Sequence, residues 1–557
     1  MQQFNCLGSI PNFVMCQIAN ANGARRLVFF SMKVKRVKEE FKMTVDNRFI
    51  NEIMGEDNET LTENGAIAYR TTNSSLLDLF GIIGALRTRP SEEIITKFTK
   101  AFSEDNLLAM KMLFYARNIR GGLGERRVFR ILIKYMANYH TEIMHKNLNL
   151  VPVFGRWDDM YEFVGTPLED AAFGLISNQL AFDEAQVNVL GDKAPISLCA
   201  KWLKSPSKVS VESAKLGKLT AKKLGLSYKE YRQTLSKLRK HLNIVERNMS
   251  NDEWDKIVYR EVPALAMKKY RNAFKNHSLI EFKKYIEKVQ KGEEVIKAAT
   301  LYPYNIMESA GLTDSWRNAT LLLRQWDEVL EEQWKALPNY VEGENNIMVM
   351  ADTSGSMSGR PIATSVGLGI YFAERNHGPY KNKFMIFAGE PRMVDLKGTN
   401  LKEKVSCIPE INAQNTSIEK AFGMILATAV NNNLSQKDLP KALIIISDME
   451  FDAASGERDY WYHSNKFSMD SIEKHNKLMD ELAIKFANQG YELPKIIYWN
   501  VDSRQDVYHA ICAQRNVAMV SGQSASTFRT VLKSIGEDGY EMMLNTLNDP
   551  IYDEVQV

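Results

Sequence analysis

The residues best suited to chemistry are Asp352, Ser354 and Ser356, which form an Asp-x-Ser-x-Ser triplet after a short apolar run. One carboxylate and two hydroxyls at alternate positions of a loop can point at a single spot, and such hard oxygen ligands suit Mg²⁺. Thr416 and Asp448, each beside a later predicted element, complete a set of five oxygen donors. We therefore expect these five side chains to bind Mg²⁺ or another divalent cation.

The composition of this set also predicts how the cation is used. Because two ligands of the first loop are neutral hydroxyls, the metal stays electrophilic, so we expect a protein partner that supplies an Asp or Glu to it. A metal-dependent phosphodiesterase built on Asp352, Asp448, Glu450 and Asp452 is the enzymatic alternative. Such enzymes usually hold metals with several carboxylates, so we expect no enzyme activity. A simple capping turn, with unrelated Thr and Asp residues downstream, is the plain alternative.

Short apolar runs alternate with helical patterns after residue 346, and these elements would position the ligands. The predicted strands span residues 347–351, 384–388, 443–446, 496–501 and 517–520, and the predicted helices span residues 362–375, 418–430, 471–488 and 526–535. Buried strands separated by helices predict a doubly wound, mostly parallel sheet of Rossmann-like type, with ligands at the carboxyl ends of its strands. We therefore expect an α/β domain over residues 347–557, after a polar linker at 338–346.

Residues 43–337 are predicted to be almost wholly α-helical. The clearest helix starts at Ser227, which has a capping-box partner in Glu230, and its apolar residues follow steps of three and four. These residues are Tyr228, Tyr231, Leu235, Leu238, Leu242 and Val245. Successive amphipathic helices with short connections predict a HEAT-like α-solenoid or ring. Residues 1–42 differ in composition, and we expect a poorly ordered or non-native extension there.

Charge is distributed unevenly along the chain. The net charge is +3, yet residues 201–290 hold 22 Lys and Arg against 9 Asp and Glu. A basic helical surface is typical of nucleic-acid binding, although lysine-rich helices can also simply be well solvated. The candidates for contacts with RNA phosphates in this segment are Lys201, Lys204, Lys208, Lys222, Lys223, Arg232, Lys237, Arg239 and Lys240.

A glycine-rich segment at residues 120–127 carries three further candidates, Arg120, Arg126 and Arg127. Its glycines could present backbone N–H groups to a phosphate beside these arginines, or could form a tight turn between two helices. The segment lacks the Gly-Lys-Ser/Thr ending of a nucleotide P-loop, so we exclude nucleoside triphosphate binding of that type.

The segment at residues 155–159 also allows two interpretations. Arg156 and Trp157 could stack on a nucleobase. Alternatively, the segment caps a helix and fills a core, with Asp158 or Asp159 paired to Arg156.

The five-ligand pattern resembles the metal-ion-dependent adhesion site of von Willebrand factor A domains, and this likeness covers roughly residues 341–535. By that likeness, Asp352, Ser354 and Ser356 lie in the first ligand loop. Thr416 lies in the second loop and Asp448 in the third. The resemblance implies a Mg²⁺ site that recruits an acidic residue of a partner.

A helical region followed by such a domain resembles the Ro autoantigen, or TROVE-module, architecture, in which helical repeats close into a ring that binds RNA. The helical half resembles more closely still an uncharacterised plant and viral relative of that build. This likeness lies in residues 61–65, 117–126, 155–159 and 301–304. It implies that the basic helical surface binds structured or aberrant RNA.

Composition excludes other classes of function. No apolar stretch approaches the ~20 residues of a membrane span, and five scattered cysteines fit a reducing compartment. We expect a cytoplasmic protein with no membrane partner. The leading hypothesis is a non-enzymatic RNA-binding protein with a metal-dependent domain for partner docking. An RNA-independent protein-interaction scaffold is the second hypothesis, and the phosphodiesterase is the third.

Overall fold

The computed structural model describes residues 5–10, 13–19, 25–31, 58–207, 210–313, 321–341, 346–387, 391–409, 418–451, 478–510 and 516–557. The chain divides into two units, Met1–Asp57 and Asn58–Val557. Within the first unit, strands β1 (Asn5–Ile10), β2 (Phe13–Ala19) and β3 (Arg25–Ser31) pair antiparallel in that order. None of the helices in the described ranges is long and apolar enough to cross a membrane.

The second unit begins with a mainly helical region. Its helices are α1 (Ser75–Ile82), α2 (Ser91–Glu104), α3 (Asn106–Arg117), α4 (Arg127–Tyr139), α5 (Thr141–Lys146), α6 (Leu150–Phe154), α7 (Glu169–Leu190), α8 (Cys199–Trp202), α9 (Val211–Lys223), α10 (Tyr228–His241), α11 (Val245–Ser250), α12 (Ala264–His277), α13 (Leu279–Gln290), α14 (Pro303–Ser309) and α15 (Glu328–Lys335). Its short antiparallel strand pairs are β4 (Glu59–Leu61) with β5 (Ile67–Tyr69) and β6 (Leu312–Thr313) with β7 (Leu322–Leu323).

Helix α10 begins as its sequence predicts. The hydroxyl of Ser227 accepts from the Glu230 backbone N–H, and the Glu230 carboxylate accepts from the Ser227 N–H. Tyr231, Leu235 and Leu238 are buried on the inner face, as the apolar spacing predicts. Tyr228 differs, because it is the first residue of the helix and its ring is 50% exposed.

The rest of the second unit is an α/β region. Its strands are β8 (Ile347–Asp352), β9 (Lys383–Phe387), β10 (Arg392–Asp395), β11 (Ala442–Ser447), β12 (Lys495–Asn500) and β13 (Val517–Ser521), and its helices are α16 (Arg360–Arg375), α17 (Leu401–Ser406), α18 (Ile418–Asn431), α19 (Leu478–Asn488), α20 (Thr527–Lys533) and α21 (Gly539–Leu547). The order across the sheet is β10-β9-β8-β11-β12-β13. All neighbours pair parallel except β10 with β9. A helical region followed by an α/β region is therefore confirmed, whereas the HEAT-like solenoid stays a prediction.

The sheet places β8 and β11 side by side at its centre. Every residue of both strands is buried, and Ala351 of β8 pairs with Ile446 of β11. Because parallel neighbours end at the same edge, the loops that follow them must meet there. This edge is where the predicted ligands Asp352 and Asp448 lie.

The helical and α/β regions share a tightly packed boundary. The Ser521 hydroxyl at the end of β13 accepts from the Gly84 N–H and donates to the Phe80 carbonyl. A Cβ atom at Gly84 would lie 2.6 Å from the Cα of Gly522, so only glycine fits this approach. Pro303 at the start of α14 similarly lies against Gly367 in α16.

We predict that Gly84→Ala lowers the free energy of unfolding by roughly 1–3 kcal/mol, because the added methyl group forces two backbones apart. Gly174→Ala is the matched control, since Gly174 lies within α7 with nothing within 4 Å of its Cβ position. That control should raise stability by roughly 0.5–1 kcal/mol, the usual gain of alanine over glycine in a helix. Urea denaturation measures both, and equal effects would contradict the close packing.

Candidate functional site

Asp352, the last residue of β8, lies at the centre of a buried oxygen cluster. Its side chain is fully buried. One carboxylate oxygen, Oδ1, accepts from the Ser354 N–H at 2.8 Å, and Oδ2 accepts from the Ser447 hydroxyl at 2.6 Å. The hydroxyls of Ser354 and Ser356 lie 3.1 Å apart. The first loop therefore brings its three predicted ligands together.

Asp448 enters the cluster from the loop after β11. Its Oδ1 lies 3.5 Å from the Ser447 hydroxyl, so one hydroxyl bridges the two aspartates. Met449 turns the chain sharply with a φ of 69°, and its N–H donates to the same Ser447 hydroxyl at 3.0 Å. Asp448 Oδ2 is buried without a hydrogen bond and lies 3.4 Å from a guanidinium nitrogen of Arg504.

Two carboxylates buried this closely disfavour ionisation. Burial raises the pKa of Asp352 to about 7, and repulsion from the Asp448 carboxylate adds to the rise. Burial also raises the pKa of Asp448, against the opposing effects of the Ser356 hydroxyl and Arg504. A cation between the carboxylates would relieve both costs, because it favours the ionised forms.

Four of the five predicted ligands thus converge, whereas Thr416 lies outside the described residues. The donor set fits a hard divalent cation, since it offers oxygen atoms only and includes Asp448 Oδ2, which accepts no hydrogen bond. Within the described ranges, no group of three or more His, Cys, Asp or Glu side chains is arranged to hold a metal ion. The candidate centre accordingly rests on two carboxylates and two hydroxyls.

A segment of the helical region reaches the same edge of the sheet. The Thr62 hydroxyl donates to the Phe451 carbonyl at 2.5 Å, and the Glu63 N–H donates to Glu450 Oε2 at 2.7 Å. Burial raises the pKa of Glu450 to about 7, although the Glu63 N–H opposes that rise. Glu450 and Phe451 therefore anchor residues 62–64. Asp452 lies outside the described residues.

Arg504 is the functional candidate that sequence reasoning missed. Its guanidinium lies at the rim, where it contacts Asp448 and donates to the Ser356 carbonyl. A second nitrogen lies 3.9 Å from Glu63 Oε2. The residue follows β12 by four positions, so only its place after a central strand could have indicated it.

The glycine-rich segment forms a turn in which the N–H groups of residues 120–125 are used within the chain. The N–H groups of residues 120–125 donate to the side chain of Asn118 or to backbone carbonyls of residues 115–118. Gly124 has a φ of 66°, and a side chain there would collide with the Tyr302 hydroxyl. The N–H groups of residues 120–125 are therefore not free for a phosphate, which favours the tight turn.

The 155–159 segment contributes to the core. Trp157 is 8% exposed, and Asp159 binds Arg117 and Arg130 at 2.9 and 2.6 Å. Arg156 pairs with Asp158 at 3.2 Å, and its guanidinium stacks 4.1 Å above the Trp202 ring. These contacts favour the structural interpretation over stacking on a nucleobase.

The basic candidates divide into engaged and exposed side chains. Arg239 donates to the Ala200 and Leu203 carbonyls, Lys223 pairs with Glu169 and Asp170, and Lys237 donates to Asn188. Lys208 lies outside the described residues, and Lys201 and Lys204 are half-buried. The remaining exposed candidates are Arg120, Arg126, Arg127, Lys222, Arg232 and Lys240.

Comparison with known proteins gives two family models, each described as a domain of unknown function. DUF2828 matches residues 62–175 and 203–346, and DUF7788 matches residues 346–550. The chain is 27% identical, over 538 residues, to an uncharacterised protein of Acanthamoeba polyphaga mimivirus, with 89% of each chain covered. No solved structure matches the chain.

These matches correct the resemblance to the Ro autoantigen and TROVE-module architecture with a von Willebrand factor A domain, which is wrong. The model over the helical region is DUF2828, which is not a TROVE or Ro family, and neither match identifies a von Willebrand factor A domain. The likeness rested on a short ligand pattern and a diffuse helical pattern, which different folds and families can share. The oxygen cluster does not depend on it.

His509 provides a pH-dependent test of the third loop. Its Nε2 lies 2.9 Å from the Met449 carbonyl, its ring packs on Phe451 and Tyr498, and burial lowers its pKa to about 4. The unfolded chain takes up a proton near the ordinary pKa of about 6.5, so stability must fall as the pH drops from there toward 4.

We predict that His509→Gln removes about 3 kcal/mol of that pH-dependent loss between pH 7 and pH 4. Chemical denaturation at pH 7, 5.5 and 4 measures the difference from the unmodified protein. The exposed His145 offers a control, because His145→Gln should leave the profile unchanged. Parallel profiles for the protein and His509→Gln would contradict the burial of this ring.

Proposed function

We propose that this protein binds a divalent cation at the edge of its sheet and uses it to dock an acidic side chain of a protein partner. The observation that carries the proposal is the buried convergence of Asp352 and Asp448 beside the hydroxyls of Ser354 and Ser356. Thr416 is proposed as a further ligand from the sequence pattern.

The chemistry of these donors supports docking. Two ionised aspartates balance the charge of Mg²⁺, and the hydroxyls add oxygen donors without further charge. The bound cation would supply Lewis acidity toward an incoming carboxylate. Arg504 at the rim, 34% exposed, offers a second positive group to the same acidic side chain.

A binding role has more support than the phosphodiesterase alternative. That alternative requires Glu450 as a ligand, yet Glu450 Oε2 accepts from the Glu63 N–H and the Glu450 carbonyl accepts from the Asn64 side chain at 2.6 Å, which leaves Oε1, buried without a hydrogen bond, as its one free carboxylate oxygen. The pairing holds Glu450 in a contact between the two regions. We therefore propose a binding protein rather than a hydrolase.

RNA binding is the second candidate function, and a specific surface favours it. Residues 211–241, which hold α9 and α10, contain nine Lys and Arg against two Glu. Among the described residues, Lys223 alone of these nine cations lies within 4 Å of a carboxylate. A HEAT-like curvature of the helical region would concentrate this potential, and RNA phosphates are its natural ligands.

We predict that Asp352→Asn weakens Mg²⁺ binding at least about a hundredfold, because it removes a charged ligand from the centre of the cluster. Asp395→Asn is the matched control, since Asp395 is 55% exposed at the edge strand β10. Isothermal titration calorimetry with Mg²⁺ and with Mn²⁺ measures both variants.

The double variant Ser354→Ala and Ser356→Ala tests the hydroxyl ligands in the same assay. Its affinity for Mg²⁺ should fall about tenfold or more. Unchanged affinity in this variant, with normal thermal unfolding, would show that the cation does not bind where we propose.

For the basic surface, we predict that structured RNA binds with an affinity that falls steeply as salt rises. The variant Lys222→Gln with Lys240→Gln should lower the slope of log affinity against log salt by about 1–2. Lys397→Gln with Lys533→Gln removes the same charge from the α/β region and should leave the slope unchanged. Salt-independent affinity would favour the RNA-independent scaffold.

A further inference from the structure

A cationic cleft opens beside the first turns of α4, on the helical region. Its volume is about 420 Å³, within the range of small-molecule sites. The residues that line it are Arg126, Arg127, Arg130, Ile131, Lys134 and Glu162. Four of these six side chains are cations and one is an acid.

The carboxylates around the cleft do not balance its positive charge. Asp158 and Asp159 lie buried behind it and pair with Arg117, Arg126, Arg130 and Arg156, while Glu162 lies 3.6 Å from Arg130. These three acids therefore carry fewer charges than the four arginines that they contact. Arg127 and Lys134 add two further positive charges to the cleft. In the part of the chain that the structure describes, Arg127 and Lys134 have no carboxylate within 4 Å.

The position of these cations on α4 adds to the positive potential of the cleft. Arg126, Arg130 and Lys134 are spaced four residues apart, so like charges lie on one face of α4 and repel one another. The first turn of α4 carries no acidic residue and Arg126 provides no side-chain cap, so the cations also face the positive end of the helix dipole. An anion in the cleft would relieve both effects.

The guanidinium of Arg127 has a fixed orientation that suits such an anion. Its Nη1 donates to the carbonyls of Arg87 and Arg89 at 3.0 and 2.7 Å, which fixes the plane of the guanidinium at the cleft. A fixed fork of N–H donors loses little entropy on binding a phosphate and matches its geometry. Lys134 contributes an exposed point charge one turn beyond Arg130.

We propose that this cleft binds a ligand through a phosphate or diphosphate group. A multiply charged phosphate fits the surplus of cations, whereas a single carboxylate would leave most of it unbalanced. This site is separate from the metal centre and from the basic surface of α9 and α10. Phosphate binding in this cleft therefore does not depend on the proposed function.

Isothermal titration of the full chain with inorganic pyrophosphate, at constant ionic strength and with EDTA to exclude divalent cations, is the direct test. Saturable binding is expected. Lys134→Gln should weaken it about fivefold, and the double variant with Arg127→Gln should weaken it at least about tenfold. Lys134 makes no side-chain contact that the fold depends on, so the single variant reports on binding even if the double variant is unstable.

Lys397→Gln with Lys533→Gln is the matched control for charge and should bind pyrophosphate normally. Equal weakening in that control, or no saturable binding to the unmodified chain, would overturn the proposal. Competition with a 5′-phosphorylated RNA oligonucleotide and its 5′-hydroxyl counterpart identifies the source of the phosphate. Displacement by the phosphorylated strand alone assigns the cleft to an RNA end, and displacement by neither assigns it to a small phosphorylated molecule.

Discussion

The parallel pairing of β8 with β11 is the constraint on which the candidate site depends. It ends two fully buried strands at one edge of the sheet and forces Asp352 and Asp448 into the same small space. Burial raises the pKa of both carboxylates, and repulsion from Asp448 adds to the rise in the pKa of Asp352. Functional sites commonly hold such unfavourable charge arrangements, which a bound ligand then relieves.

The helical region is part of this arrangement because it closes the same edge. Residues 62–64 bond to Glu450 and Phe451 in the third loop, while Gly84 and the 120–127 turn pack against the end of β13. Two of the segments that distinguish the helical region in sequence, residues 61–65 and 117–126, therefore lie at its boundary with the sheet. Contacts between the helical region and the sheet therefore explain the glycine and polar residues of these segments.

The sequence predicted the strands that consist of unbroken, buried apolar residues. The five predicted strands lie within one residue of β8, β9, β11, β12 and β13, because central strands carry unbroken apolar residues. It missed β10, whose four residues are mostly exposed at the sheet edge. It also missed Arg504, since the contact with Asp448 joins distant parts of the chain and leaves no local pattern. The family resemblance failed for the opposite reason, because short patterns were extended to a whole architecture.

The central claim is that Asp352 and Asp448 share one divalent cation with the hydroxyls of the first loop. Anomalous diffraction from crystals of the full chain grown with Mn²⁺ tests it most directly. We predict one strong peak within about 2.0–2.4 Å of oxygen atoms from Asp352 and the Ser354–Ser356 loop, with Asp448 bound directly or through a water molecule. A peak at another place, or none at saturating Mn²⁺, would show that these residues do not share a cation.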